Sequence, residues 1–300
     1  MIVHHPGALT VLGRAALGPI TMALALGIAT AVAPVAGDDG FAVRLVPAVL
    51  TSLIAVPLIV VLWRRRGGLR GLGLTAGLRG LRGFLLGCVV TAASAAVVFG
   101  AGTAAGWLRW NALDPGSLAA FLVTNAIIAF LLEAFPEELA LRGHAWSTLR
   151  SRFGRWAAAV GTTAMFLATP AMSFLVSAGI EVLAGGSPGA IGLAPAGQDP
   201  VSYLILLTVF GIALIAARGA TGSLWTSIAT HLTFLTVQRI VLDGETRDAG
   251  WSAEMATPDA LLLVPAYLLL AAVVFVGVRW LTRPAARRDP VSRQAGPGTV

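Results

Sequence analysis

Apolar residues along the chain gather into eight long stretches, roughly 15–36, 41–63, 84–107, 118–135, 156–178, 200–217, 222–242 and 259–281. A helix needs about 20 mostly apolar residues to cross a bilayer. The pattern therefore predicts an all-α polytopic membrane protein of about eight transmembrane helices. Polar, Gly- and Pro-bearing segments separate the stretches. The first stretch has Arg14 before it and small residues near Ala31 to Ala33, as a secretory signal would. Its apolar part is longer than the roughly 7–15 residues of a signal core, so a retained helix is expected. The organisation that follows is 1–83, two spans and a basic loop; 84–117, a third span and outer loop; 118–242, a central core; 243–281, an outer loop and last span; and 282–300, a tail. The tail, polar and rich in Pro and Gly, is expected to be disordered.

Arginine placement orients the helices. Arg64, Arg65, Arg66, Arg70, Arg79 and Arg82 lie between spans 2 and 3, and Arg142, Arg150, Arg152 and Arg155 between spans 4 and 5. Arg218 lies between spans 6 and 7, and Arg283, Arg287, Arg288 and Arg293 in the tail. With eight spans all of these fall on one side. The opposite connections hold Asp38, Asp39, Asp114, Glu181, Asp199, Asp243, Glu245, Asp248 and Glu254, beside Arg109 and Arg247. The positive-inside rule then places both termini in the cytoplasm of a multi-pass cell-membrane protein.

Composition agrees. The 300 residues are 57% hydrophobic and only 12% charged, with a mean hydropathy of +0.83. Soluble domains carry roughly a quarter charged residues, so a soluble enzyme, a disordered chain and a free nucleic-acid binder are poor descriptions. All 21 basic residues are arginine, placed between apolar runs, so the net charge of +7 implies no nucleic-acid partner. The arginine loop of residues 64–83 reads first as an ordinary cytoplasmic loop obeying the positive-inside rule; contact with anionic membrane lipid is the functional alternative. One cysteine, Cys88, rules out an intrachain disulfide or a cysteine zinc site.

Ionisable groups inside a bilayer are costly, about 2.5–3.5 kcal/mol each on insertion scales, and mark function. Glu133, Glu137, Glu138, Arg142 and His144 cluster at the end of span 4, and His231 stands in the middle of span 7. Pro136 suits the first turn of a helix, which would put Glu137 and Glu138 where the helix dipole favours negative charge. Glu138 and Arg142 are four apart and can pair. Glu137 points about 100° away from Glu138 and is free to face a cavity, where a carboxylate can act as a general base. The bland alternatives are a solvated salt bridge at a helix end and a histidine satisfied by a neighbouring hydroxyl.

The stretch Pro136-Glu137-Glu138-Leu139-Ala140-Leu141-Arg142-Gly143 resembles the E-E-x-x-x-R-G motif of the CPBP family, the CAAX-prenyl-endopeptidase and bacteriocin-processing intramembrane proteases also called Abi or type II CAAX proteases. Gly222-Ser223-Leu224-Trp225, leading to His231, resembles the start of that family's third-motif helix. The likeness covers roughly 118–242 and implies a CPBP-type helical core around a cytoplasm-facing cavity. Two positions depart. Pro170 stands where the second motif, F-x-x-x-H, has its histidine, and Leu235 where the third motif has Asn or Asp.

The resemblance implies an intramembrane endopeptidase that cuts a peptide or membrane-protein substrate near the cytoplasmic face. Glu137 would activate water, His231 would assist, and Glu138 and Arg142 would complete the site. A catalytic zinc normally has three protein ligands. His231 and one glutamate make two, and His144, two turns from Glu137, would sit about 10 Å along the axis, so no metal and no other cofactor is expected. Pro170 and Leu235 support an alternative: a catalytically inactive relative that binds peptides as a partner or self-immunity protein. A proton-coupled transporter built on Glu137 and His231 ranks last, since no repeat or broken-helix pair is apparent.

Overall fold

A computed structural model describes residues 7–36, 40–64, 68–188, 192–195 and 197–282. The polar tail, Asp38, Asp39, Arg65, Arg66 and the tail arginines lie outside the described residues. Eight long helices are present among those described: α1 (Ala8–Val32), α2 (Phe41–Trp63), α3 (Leu78–Ala104), α4 (Pro115–Arg150), α5 (Arg155–Leu183), α6 (Pro200–Thr221), α7 (Leu224–Asp243) and α8 (Leu263–Leu281). All but α7 are long and apolar enough to cross a membrane. Helix α7 is diluted by Thr226, Ser227, Thr230, His231, Thr233, Thr236 and Arg239, and the first four of these are buried. It is an interior helix that the others shield. The protein is a multi-pass membrane protein of all-α architecture.

Local sequence explains where the helices begin. Asp114-Pro115 and Asp199-Pro200 repeat one device: the aspartate accepts hydrogen bonds from the first free backbone N–H groups, and proline occupies the position that needs none. Both carboxyls are held below the usual range, Asp114 chiefly by the Ser117 hydroxyl and Asp199 chiefly by the Ser202 backbone N–H. Gly222, left-handed at φ 73°, ends α6, and Ser223 caps α7 immediately afterwards.

The two ends of the bundle are tied separately. At one end, β1 (Leu108–Trp110) pairs antiparallel with β2 (Ala253–Met255), and the Asp114 N–H donates to the Gly250 carbonyl. At the other, the Leu224 N–H donates to Gly73 and the Trp225 indole to Thr75. Gly87 of α3 abuts the Thr226 carbonyl and Ala229, so any side chain there would force α3 and α7 apart.

Helix α4 departs most from expectation. It does not end near residue 135 but continues as one helical run to Arg150. Two stretches, Phe130–Ala134 and Leu139–Ala145, are π-helical, with an α-helical turn at Phe135–Glu138 between them. Glu137 and Glu138 thus sit far inside a continuous helix and gain nothing from a helix N-terminus. Arg142 and Arg218, placed by sequence in the connections between spans, are buried. The connection between α4 and α5 is only Ser151 to Gly154.

Candidate active site

The site forms where the wide turns of α4 face α6 and α7. π-Bulges commonly mark functional positions because they break the regular helical register. Here they direct Glu137 and Glu138 toward α7.

Glu138 is fully buried and receives three donors. Arg142 Nη1 lies 3.0 Å from its Oε1, His231 Nδ1 lies 3.0 Å from the same oxygen, and the Ser227 hydroxyl contacts Oε2. This is the environment of a carboxylate, an acceptor only. His231 Nδ1 therefore donates to Glu138, and in the neutral form of the ring that leaves Nε2 as an acceptor. That Nε2 faces Glu137 Oε2 at 4.0 Å. The edge-on Phe210 ring packs against the imidazole with centroids 4.8 Å apart.

Exposure divides the two glutamates. The Glu137 side chain is 13% exposed, against 0% for Glu138, 0% for Arg142 and 2% for His231. Glu137 is the carboxylate that an incoming molecule can meet. The other three form a buried frame behind it. The Arg142 guanidinium carbon lies 4.5 Å from the centroid of Phe166, so the first residue of the degenerate second motif stacks on the arginine of the first.

The departing positions make different contacts. Pro170 is half-buried inside α5, and its carbonyl accepts from Ser173. Leu235 is buried in the apolar core. Neither supplies a polar side chain. Thr169 donates to the Met165 carbonyl of its own helix. His144 packs edge-on against Trp63 of α2, with centroids 5.7 Å apart. The seven residues from Glu137 to His144 pass through a π-helical stretch, so the two-turn spacing of a regular helix does not apply. Among the described residues no three His, Cys, Asp or Glu side chains group closely enough to hold a metal ion.

Sequence reasoning missed three participants. Ser227 was hidden among the hydroxyls of α7. Arg239, two turns beyond His231, binds Glu133 at 2.6 Å and Asn125 at 3.0 Å. A charged residue inside an apolar span is the signal that could have found it. Arg218 donates to the carbonyls of Leu72, Arg142 and Gly222, joining the Gly-rich loop, the π-turn and the start of α7.

Residues 117–237 match the family model described as type II CAAX prenyl endopeptidase, Rce1-like. That range begins in the first turn of α4 and contains both glutamates, Arg142 and His231. No curated protein and no solved structure matches the chain.

Proposed function

We propose, from the premise that this chain belongs through residues 117–237 to the type II CAAX prenyl endopeptidase family, that it is an intramembrane endopeptidase using Glu137 and His231. The observation that carries this reading is the 4.0 Å separation of Glu137 Oε2 and His231 Nε2. It is too long for a hydrogen bond between them, yet one water oxygen can contact both at ordinary hydrogen-bond distance.

Glu137 takes a proton from that water as its oxygen attacks the peptide carbonyl carbon. The same proton then passes to the departing amine nitrogen, so water and peptide become an acid and an amine. His231 orients the water, and Glu138 fixes the tautomer that lets it do so. Arg142 and Ser227 act through Glu138 as positioning residues. The protein sits in the cell membrane with both termini on the cytoplasmic side, as the arginine distribution favours.

A second reading is favoured by Pro170 and Leu235, which leave unfilled the polar positions of the family's second and third motifs. In it the protein is an inactive relative that holds a peptide as a partner or self-immunity protein. Purified protein in nanodiscs, offered a quenched library of hydrophobic and prenylated peptides, separates the two. Cleavage that is lost in Glu137→Ala and His231→Ala and indifferent to chelator is the expected result. Cleavage abolished by chelator would overturn the metal-free mechanism. Peptide binding without cleavage, surviving Glu137→Ala, would establish the inactive relative.

A further inference from the structure

A hollow of about 520 Å³ opens where α1 begins and where α2 and α4 end. Val11, Arg14, Trp63, Gly71, Ser147 and Ser151 are among the residues lining it. Close approaches fix its walls. A side chain at Gly18 would strike the Ala140 carbonyl, so α1 lies directly on the π-helical stretch Leu139–Ala145. A Cβ at Gly71 would meet the Trp63 indole nitrogen at 2.8 Å, and the Gly71 carbonyl accepts from the Ser147 hydroxyl at 3.3 Å. The hollow is preformed, as small-molecule sites usually are.

Its electrostatics are one-sided. Arg14 is exposed in its wall. Arg64, Arg70 and Arg150 are also exposed, and each adjoins a lining residue in sequence. Among the described residues no Asp or Glu stands at this end of the bundle: Glu133, Glu137 and Glu138 lie within α4, and the others belong to the opposite end. Such a cluster attracts an anion from outside the chain. By the positive-inside rule this end is cytoplasmic. The hydroxyls add a second preference. Ser147 gives its proton to the Gly71 carbonyl, and Ser151 gives its proton to the Thr148 carbonyl at 2.7 Å. Each oxygen then offers a ligand lone pairs rather than a proton. The hollow thus combines guanidinium donors for a phosphate with acceptors for hydroxyl groups.

Its position selects a lipid. Val11 and the Trp63 ring give it an apolar side. Leu9 and Leu12 flank Val11 and are exposed on a helix long and apolar enough to cross a membrane. Tryptophan at a helix end belongs at the headgroup level, and basic pockets between helices on the cytoplasmic side hold lipid headgroups. We propose that this hollow binds the headgroup of an anionic phospholipid of the cytoplasmic leaflet, one that carries hydroxyl groups as phosphatidylglycerol does. Arg14 meets the phosphodiester, and Ser147 and Ser151 accept from the headgroup hydroxyls. Trp63 also packs edge-on against His144, so an occupied hollow braces the π-helical stretch that holds Arg142. Binding here is independent of the peptidase reading.

Purified protein in neutral detergent is titrated with phosphatidylglycerol, phosphatidylmethanol, phosphatidylcholine or the deacylated headgroup glycerophosphoglycerol. Native mass spectrometry reads retained lipid, and the melting temperature is followed alongside. Phosphatidylglycerol is expected to bind and to raise the melting temperature, and phosphatidylcholine and the deacylated headgroup to do neither. Arg14→Ala should weaken phosphatidylglycerol binding about tenfold, as the loss of one hydrogen bond to a charged group does. Arg79→Ala, at an exposed position of α3 outside the hollow, should leave it unchanged. Ser147→Ala combined with Ser151→Ala should erase the preference over phosphatidylmethanol, which has the same charge and no headgroup hydroxyl. Equal effects of Arg14→Ala and Arg79→Ala would reduce the binding to diffuse attraction and overturn the site. So would phosphatidylcholine binding as tightly as phosphatidylglycerol. Equal binding of the deacylated headgroup would overturn the assignment to a lipid, and a preference untouched by the serine substitutions would overturn the assignment of its headgroup.

Discussion

Replacing Arg142 by methionine keeps an unbranched apolar stem and removes the charge. Arg142 and Glu138 are both fully buried and lie 3.0 Å apart. Removing one partner of a buried pair costs about 3–5 kcal/mol, because the other charge is left without compensation. Here the cost belongs near the lower bound, since Ser227 and His231 still donate to Glu138. Loss of the Phe166 contact adds about 0.5–2 kcal/mol. Adding Glu138→Gln removes the stranded charge, so the double variant should recover about 2 kcal/mol relative to the sum of the singles. Reversible unfolding in mixed micelles, run as a double-mutant cycle, measures this directly. Additivity within about 0.5 kcal/mol would refute the claim that Arg142 acts chiefly by neutralising Glu138.

Three further outcomes follow from the geometry. Leu235→Asn restores the amide of the third motif four residues beyond His231; as a donor to the carbonyl oxygen under attack in the proposed cleavage it should raise any measured rate by up to about 10²–10³, and it should lower thermal stability because it places an amide in the apolar core; an unchanged rate in a folded variant would count against that role. Arg218→Ala should release the loop around Leu72 and Gly73 to limited proteolysis, whereas equal protease resistance would show that its three carbonyl contacts do not hold that loop. The hydrogen bonds that lower the Asp114 carboxyl stabilise the start of α4 fully above the unfolded value near 3.8 and are lost as pH falls through the lower folded value; hydrogen exchange at Gly116 and Ser117 should accelerate in that acid window and be insensitive to pH in Asp114→Asn once intrinsic exchange is corrected for.

Much of the fold was legible because hydrocarbon thickness imposes one length on every span. The eight apolar stretches correspond to the eight helices, and their ends differ by only a few residues at most positions. Helix α4 is the exception. Residues 136–150 contain Pro, Gly, His, two glutamates and two arginines, the composition of a connection, and only tertiary partners keep them helical. For the same reason Arg142 and Arg218 read as residues of the connections between spans: an arginine satisfied by buried carboxylate or carbonyl oxygens looks like any other arginine in a sequence. Glu137, Glu138, Arg142 and His231 were identifiable because charge is rare in such a chain. Ser227 was not, because hydroxyls are common on α7 and only position distinguishes the one that meets Glu138. The π-turns left no trace, since they change the angle between side chains without changing composition.

Each π-helical stretch stores surplus chain within α4. A single-residue deletion in an ordinary membrane helix rotates one part against the other by about 100° and shortens the span by about 1.5 Å. Within Leu139–Ala145 the same deletion can be absorbed by tightening a wide turn into an α-turn. The apolar length that anchors the helix and the register of its flanks would be nearly preserved, while Arg142, inside the stretch, would lose its place beside Glu138. Insertion in the membrane and assembly of the site are therefore separable in this chain, and the extra residue serves only the second.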